Sequence, residues 1–251
     1  QTVGEPVDMR AQLRAAKLLM ADKNFEGEFT TLLKLAGAIA SASDVTLPES
    51  DLRAALRELL VAFPVYRSYG TPEGMPPEGA ALLQRVADKV RRDAPGLSPA
   101  ALDFLLRIMN GELDAAVAQN AATFRTRFQQ LTGPLMAKSV EDTLFFRQHM
   151  ALALNEVGAE PLPRPFSLAR FHDEMQIRRE RQPDGLTGTS THDTKRGEDA
   201  RARLYTLTES PQRWALHVAR WRQMNRSAVV ALDGGPAPEP AVEWMLYQAL
   251  A

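Results

Sequence analysis

Apolar residues recur at helical spacing along most of the chain. In Met9–Met20, the side chains of Leu13, Ala16 and Leu19 fall on one face of a helix. Phe29–Ala40 is apolar nearly all round, which predicts a buried helix. The same spacing predicts helices in further segments, residues 46–63, 76–93, 97–111, 113–131, 136–154, 167–181 and 210–226. The pattern therefore predicts a mainly α chain.

Some of the predicted helices carry signals for their ends. Thr46 followed by Glu49 has the capping-box pattern, which predicts that Thr46 caps the third helix. Ser98 and Pro99 favour a helix start, with the serine as N-cap and the proline in the first turn. Gly111 favours the end of the same helix because glycine readily adopts the left-handed conformation.

Few segments have the character of strands. Ala62–Gly70 and Gly188–Thr194 are rich in β-branched, aromatic or hydroxyl residues, which helices disfavour. Asp233–Pro240 is rich in glycine and proline and predicts a connector or surface loop. Because isolated strands leave backbone groups unsatisfied, we expect these strands to pair with strands outside the chain.

Composition and charge narrow the classes of function. The 251 residues suffice for one large or two small domains. The formal net charge of −1 supplies no field that attracts nucleic acid or an anionic membrane, so neither is expected as a partner. No cysteine is present, which fits a reducing compartment and favours a cytoplasmic protein. No apolar run long enough to span a membrane and no signal-peptide pattern are found in the sequence.

The ends of the chain are unusual for a natural domain. It starts without Met and stops within an apolar periodic stretch, "VEWMLYQALA". Natural domain ends are usually more polar. Two interpretations fit these ends: a domain trimmed at both ends, or a piece of a longer enzyme.

Polar and reactive side chains collect in a few segments that interrupt the helical pattern. The densest is "TGTSTHDTKRGED", Thr187–Asp199. From the residues alone, Asp193 is also suited to cap a helix that begins near Lys195, and Lys195 with Arg196 is also suited to be a solvated pair. Likewise, Glu141 and Asp142 are suited to cap a helix, and Phe145, Phe146 and Tyr66 are suited to pack in a core. The residues alone leave these alternatives open.

Four of these segments, in order, resemble sequences of maltooligosyltrehalose synthases, a family of the α-amylase superfamily. They are "FPVYRSY" (Phe63–Tyr69), "MAKSVEDTLFFR" (Met136–Arg147), "LNEVG" (Leu154–Gly158) and "STHDTKRGED" (Ser190–Asp199). The resemblance runs from about Ala62 to the end of the chain. The departures from the family pattern are Ser68, Ser139, Phe146 and Gly197. Ser139 replaces a glycine and so removes a flexible backbone position.

The resemblance implies a reaction and a fold. Enzymes of this family isomerise the reducing-end α-1,4 linkage of a maltooligosaccharide to an α,α-1,1 linkage, by intramolecular transglucosylation on a (β/α)8 barrel. No cofactor and no metal is implied. We therefore expect a helical domain or insertion with a few short strands that belong to an incomplete barrel. The expected segments are helical residues 1–61, a barrel-strand-like segment at 62–76, a helical insertion at 77–132 and a barrel-derived segment at 133–251.

The resemblance also implies site residues. Asp193 matches the third catalytic carboxylate of the superfamily, which stabilises the oxocarbenium-like transition state, and His192 would hydrogen-bond the same glucose. The other residues expected to bind substrate are Lys195, Arg196, Lys138, Glu141, Asp142, Phe145, Phe146, Tyr66, Arg67, Asn155 and Glu156. Among them, the aromatic rings suit stacking on pyranose faces, and Arg67 suits orienting a buried carboxylate.

Two of the three carboxylates that the chemistry needs are not found. Retaining transfer requires a nucleophile and a general acid about 5 Å apart. The family carries both in upstream motifs that this sequence lacks. We therefore expect the chain to be the C-terminal part of the catalytic region, to depend on the rest of the same polypeptide, and to be inactive alone.

Two other classes of function remain open. A helical chain with a His-Asp pair also suits a metal-dependent phosphohydrolase, with His149 or His172 upstream of the pair and Asp233 downstream. That class places its pair on a helix, whereas the residues around His192 favour a strand or loop. A non-catalytic helical interaction module is the second alternative, with Phe171–Gln182 as its charged face.

Overall fold

The computed structural model describes residues 8–162 and 166–250. These residues divide into two compact units. We call Arg10–Leu144 the N-terminal unit and the described residues from Phe145 onward the C-terminal unit. The predicted mainly α fold is confirmed. In the described ranges, no helix is both long and apolar enough to cross a membrane.

The N-terminal unit consists of helices joined by short loops. Its α-helices are α1 (Met9–Leu19, which begins one residue before the unit), α2 (Glu26–Ala42), α3 (Glu49–Ala62), α4 (Pro77–Asp93), α5 (Pro99–Asn110) and α6 (Ala118–Met136). A π-helical segment, Met20–Asn24, extends α1, and a second one, Ala137–Leu144, follows α6. A 3-10 turn at Ala115–Val117 precedes α6. One hydrophobic core, which runs from Met20 to Leu135, joins the first π-helical segment and helices α2 to α6.

The third helix begins later than its sequence pattern predicts. Thr46 does not cap it: α3 starts at Glu49, and Pro48 occupies the N-cap position with extended backbone angles. A proline disfavours helical backbone at the residue before it, so the helix cannot begin at Leu47. The predicted signals of α5 are confirmed, since Ser98 accepts a hydrogen bond from the Ala101 N–H and Gly111 has a φ of 78°.

Two side chains of α6 fix the loop that follows α3. The buried Arg125 donates from Nε to the carbonyl oxygen of Thr71 at 3.0 Å, and it also donates to the carbonyl oxygens of Pro72 and Ile108. One turn on, Gln129 accepts from the Gly70 N–H at 2.7 Å. Since both side chains are nearly inaccessible, the loop after "FPVYRSY" has a defined position on the N-terminal unit.

The C-terminal unit has shorter elements and more connecting chain. Its elements are α7 (Phe145–Arg147), a 3-10 turn at Leu152–Leu154, α8 (Leu168–Arg181), α9 (Glu198–Thr206), α10 (Pro211–Met224), a 3-10 turn at Arg226–Ala228, β1 (Val230–Leu232), β2 (Gly235–Ala237) and α11 (Pro240–Ala249). The predicted helix at 136–154 is therefore divided into π-helical, α-helical and 3-10 pieces that are interrupted at 148–151.

The strand prediction for Gly188–Thr194 is wrong, because Thr191–Thr194 forms a hydrogen-bonded turn. The prediction that Ala62–Gly70 pairs with a strand outside the chain stays a prediction. Ala62–Gly70 and Gly188–Thr194 form no ladder in the described structure, and the one sheet found there is the antiparallel hairpin of β1 and β2. Its register pairs Val230 with Ala237, across a tight Asp-Gly turn of a kind that favours hairpins. The predicted connector at Asp233–Pro240 thus contains a strand. The four segment boundaries stay a prediction.

Candidate functional site

The segment Thr187–Asp199 is a turn-rich loop that leads into α9. Its His-Asp pair points into solvent: the His192 side chain is 92% exposed and that of Asp193 is 67% exposed. The two side chains contact each other, with His192 Nε2 3.4 Å from Asp193 Oδ1. The most reactive residues of the segment are therefore accessible to a ligand.

Hydroxyl groups close the turn that carries this pair. Thr194 donates from both its N–H and its hydroxyl to the carbonyl oxygen of Thr191, at 3.1 and 2.7 Å. The Thr191 hydroxyl in turn accepts from the Asp193 N–H at 3.3 Å. The abundance of threonine, which suggested a strand, instead serves local side-chain-to-backbone bonds that compete with a ladder.

Glu156 anchors the end of the turn. Its Oε1 accepts hydrogen bonds from the N–H groups of Lys195 at 2.7 Å and of its neighbour Val157 at 2.9 Å. Its Oε2 accepts from the Arg196 N–H at 3.2 Å and lies 4.0 Å from Nε of Arg201. Burial alone would raise the pKa of Glu156, but these N–H donors and Arg201 together lower it below its ordinary value.

Other contacts order the chain around Glu156. The Asn155 side-chain amide donates to the carbonyl oxygens of Phe145 at 3.0 Å and Gln148 at 2.5 Å. The Arg196 guanidinium lies 3.5 Å from the carbonyl oxygen of Leu152. The side chains of Asn155 and Arg196 therefore tie "LNEVG" to the neighbouring chain. Asn155 is occupied in this way and is almost fully buried.

The two phenylalanines of α7 differ in exposure. Phe146 is 62% exposed, and the Lys195 ammonium lies 5.6 Å from its ring centroid, within the range of a cation–π contact. Phe145 is only 6% exposed. Of the two, Phe146 has a ring face that a sugar can reach.

His149 lies near the same loop. Its Nδ1 is buried and has no hydrogen-bond partner among the described residues. Burial, and then the charge of Arg196, lower the pKa of His149 below its ordinary value. At neutral pH the imidazole is thus neutral.

The remaining predicted residues lie on the N-terminal unit. Tyr66 donates from its hydroxyl to the buried Glu141, so the segments "FPVYRSY" and "MAKSVEDT" contact each other there. Lys138 and Asp142 form an ion pair of 2.7 Å one turn apart. Arg67 contacts no buried carboxylate in any described hydrogen bond or ion pair; its guanidinium lies 5.6 Å from the exposed Tyr69 ring.

The segment that carries Glu141 is wound as a π-helix, Ala137–Leu144. Such widened turns are rare and occur frequently at functional sites. Ser139, the replacement for the family's glycine, is fully buried within it and donates from its hydroxyl to the Met136 carbonyl oxygen at 3.2 Å. The serine is thus accommodated without a positive φ.

Comparison with known proteins gives a consistent result. The chain is 30% identical to maltooligosyl trehalose synthases of two Mycobacterium tuberculosis strains, CDC 1551 and H37Rv, over 249 residues. The match includes 94% of this chain but only 31% of each relative. The solved maltooligosyltrehalose synthase of Arthrobacter ramosus is 30% identical with a TM-score of 0.74, over 98% of this chain and 28% of that chain.

This chain is similar to part of maltooligosyltrehalose synthase. The resemblance seen in the motifs is thereby confirmed. A solved hypothetical maltooligosyl trehalose synthase of Sulfolobus tokodaii has the same fold, with a TM-score of 0.66 at 22% identity over 97% of this chain and 28% of that one. No protein-family model matches the chain. The chain spans 31% of the length of its curated relatives.

The predicted site residues fall on both units. The C-terminal unit brings together Asn155, Glu156, His192, Asp193, Lys195 and Arg196, with Phe146 beside them. The N-terminal unit brings together Tyr66 with Glu141, and Lys138 with Asp142. Arg201 of α9, which faces Glu156, was not predicted from the sequence. In the described ranges no group of three or more acidic or histidine side chains is placed to hold a metal ion.

Proposed function

We propose that this chain is part of an intramolecular transglucosylase that acts on maltooligosaccharides and forms an α,α-1,1 linkage at the chain end. The observation that carries the proposal is the exposed His192–Asp193 pair, presented by a turn whose base is hydrogen-bonded to the largely buried carboxylate of Glu156. The similarity to maltooligosyltrehalose synthases over nearly the whole chain supports it. Its substrate is a maltooligosaccharide, its location the cytoplasm, and its partner the rest of the same polypeptide.

Asp193 would stabilise charge that develops on the sugar. Cleavage of a glycosidic bond passes through an oxocarbenium-like state, and a positioned carboxylate lowers its energy. His192, whose ring contacts that carboxylate, is placed to hydrogen-bond a hydroxyl of the same glucose. The remaining carboxylates of the chemistry would come from elsewhere in the longer enzyme, since retaining transfer needs a nucleophile and an acid about 5 Å apart.

On the N-terminal unit, Glu141, Lys138 and Asp142 would support substrate binding with Tyr66. The Tyr66 hydroxyl is bonded to Glu141, and its ring is partly exposed. We place Phe146 and Lys195 in the same role on the C-terminal unit. Phe145 and Asn155 are better suited to hold the fold because both are buried.

The test replaces the matching 28% of the Arthrobacter ramosus enzyme with this chain. Incubation of this hybrid with maltopentaose should yield a non-reducing, trehalose-ended product, while the isolated chain should yield none. In the hybrid, Asp193→Asn should lower kcat by about 100-fold because the amide cannot neutralise the developing charge. The matched control is Asp184→Asn, an exposed aspartate in a turn of the same unit.

Two outcomes would contradict the proposal. Full activity of the folded Asp193→Asn hybrid would remove Asp193 from the chemistry. Product formation by the isolated chain would show that it contains the nucleophile and acid we place elsewhere. Circular dichroism of each hybrid establishes that a loss of activity is not a loss of fold.

A further inference from the structure

We infer that Glu156 is a positioning residue that holds the His192–Asp193 turn in place, instead of binding the sugar itself. The effect that we infer on catalysis rests on the proposed function. The effect on the conformation of the turn is independent of it, because it depends only on hydrogen bonds within the C-terminal unit.

Both oxygens of Glu156 are engaged by the protein. Oε1 accepts from the N–H groups of Val157 and Lys195, and Oε2 accepts from the N–H of Arg196 and faces Arg201. The side chain is only 12% exposed. Three backbone N–H groups thus occupy three of the about four acceptor sites of the carboxylate, and Arg201 faces the remaining side of Oε2. A sugar hydroxyl that displaced a backbone donor would leave an N–H without a partner, which costs about 1–3 kcal/mol.

The carboxylate acts on both sides of the turn. It contacts the C-terminal side of the turn directly, through the N–H groups of Lys195 and Arg196. On the N-terminal side, the carboxylate acts through Arg201, whose Nε lies 4.0 Å from Glu156 Oε2. The Arg201 guanidinium also donates to the carbonyl oxygen of Thr189. The exposed pair lies between these two anchors, so its backbone is fixed although its side chains are free to meet a ligand.

A carboxylate is the only side chain of this length that suits the position. Consecutive N–H groups converge on it, and an ionised acceptor forms stronger hydrogen bonds than a neutral one. A glutamine would keep one acceptor oxygen but would turn its NH2 group toward another donor. The lowered pKa of Glu156 agrees with this arrangement, since the group stays ionised at neutral pH.

The first experiment needs no activity. In the isolated chain, the backbone amide resonances of Lys195 and Arg196 should shift together as the pH is lowered from neutral, with a midpoint below the ordinary glutamate value of 4.5. Glu156→Gln should abolish this shared titration and increase the fast motion of the Thr191–Thr194 amides, measured by heteronuclear NOE. Glu209→Gln, at an exposed glutamate of the same unit, is the matched control and should change neither.

The second experiment separates positioning from sugar binding. In the hybrid enzyme, Glu156→Gln should lower kcat by about 10- to 100-fold, because small displacements of a reacting group are costly, while KM stays within about 3-fold. If Glu156 held the sugar directly, KM would rise instead with kcat preserved, and the inference would be overturned.

The failures are distinguishable. If the amide resonances of Lys195 and Arg196 did not shift together with pH, the inference would be overturned and the proposed function would stand. A fully active Asp193→Asn hybrid would overturn the proposed function, whereas the amide titration and the motion of the turn would still decide whether Glu156 holds it.

Discussion

The two units are stabilised by different means. The N-terminal unit has a continuous apolar core, with Ala36, Ile39, Leu56 and Phe124 all completely buried. In the C-terminal unit, by contrast, α8 buries none of its described residues, and α9 and α10 bury one each, Leu204 and Val218. Its described contacts are polar ones, such as those of Glu156, Asn155 and Gln248, together with a small cluster of aromatic rings around Trp221.

The two means of stabilisation serve different purposes. Apolar burial is non-directional and gives stability, whereas hydrogen bonds fix the direction of a loop at little net gain in free energy. The exposed His192 and Asp193 belong to the unit built in the second way. Regions with few buried apolar contacts open at low free energy, so we expect the C-terminal unit to open more readily than the N-terminal unit.

The largest effect should come from a cavity in the apolar core. Phe128 is completely buried and contacts the rings of Phe63 and Phe124, at centroid distances of 5.4 and 6.2 Å. Phe128→Ala should lower the free energy of unfolding by about 3–5 kcal/mol, measured by urea denaturation with far-UV circular dichroism. A loss below 1 kcal/mol would show that this core does not carry the stability of its unit.

The matched control is an exposed aromatic residue of the same unit. Tyr69 is 75% exposed, and only the Arg67 guanidinium is described over its ring. Tyr69→Ala should therefore cost no more than about 1 kcal/mol, the value of an exposed cation–π contact.

The sequence predicted the N-terminal unit well because its helices repeat apolar residues at a regular spacing. The start and end of α5 followed directly from Ser98, Pro99 and Gly111. The start of α3 did not, because the capping-box pattern at Thr46 ignored the restriction that Pro48 places on the residue before it. Local patterns thus succeed where no competing local constraint exists.

The motif resemblance predicts His192 and Asp193 as site residues, and their role stays a prediction. Their exposure leaves both side chains accessible to a ligand. The anchoring contacts were not predictable, since Glu156 precedes Lys195 by 39 residues and no periodicity links them. The strand prediction for the same segment failed because threonine hydroxyls satisfied backbone groups that a strand would have paired across a ladder.

Lys17 is an exception within the apolar unit and gives the next largest effect. It is 4% exposed, and its ammonium donates to the Phe63 carbonyl oxygen at 2.6 Å. Burial, and then the charge of Lys89, lower the pKa of Lys17 from 10.5 to about 8. Between these values the unfolded chain binds more protons than the folded one, so stability should rise with pH through this window, by roughly 3 kcal/mol in total.

Denaturation at a series of pH values checks this sign. Lys17→Met should remove the rise, whereas Lys34→Met, at an exposed lysine of α2, should leave it. If the unsubstituted chain lost stability between pH 8 and 10.5 relative to Lys17→Met, the burial argument would be wrong.

The smallest effect tests whether single polar contacts hold the C-terminal unit. Gln248 of α11 is 4% exposed; its Oε1 accepts from the Leu152 N–H at 2.9 Å and its Nε2 donates to the His149 carbonyl oxygen at 2.7 Å. Gln248→Leu keeps the size but leaves both backbone groups without this partner, which should cost about 2 kcal/mol. Gln223→Leu, on the exposed face of α10, should cost within about 0.5 kcal/mol.

Tryptophan fluorescence reports unfolding of the C-terminal unit specifically. The chain has 3 tryptophans, and all of them lie in that unit, at Trp214, Trp221 and Trp244. The urea concentration at the midpoint of unfolding, measured by fluorescence, should fall for Gln248→Leu and remain unchanged for Gln223→Leu. Equal midpoints would mean that the apolar contacts of Leu204, Val218 and the tryptophan rings suffice for this unit. The distinction between an apolar and a polar mode of stabilisation would then not hold.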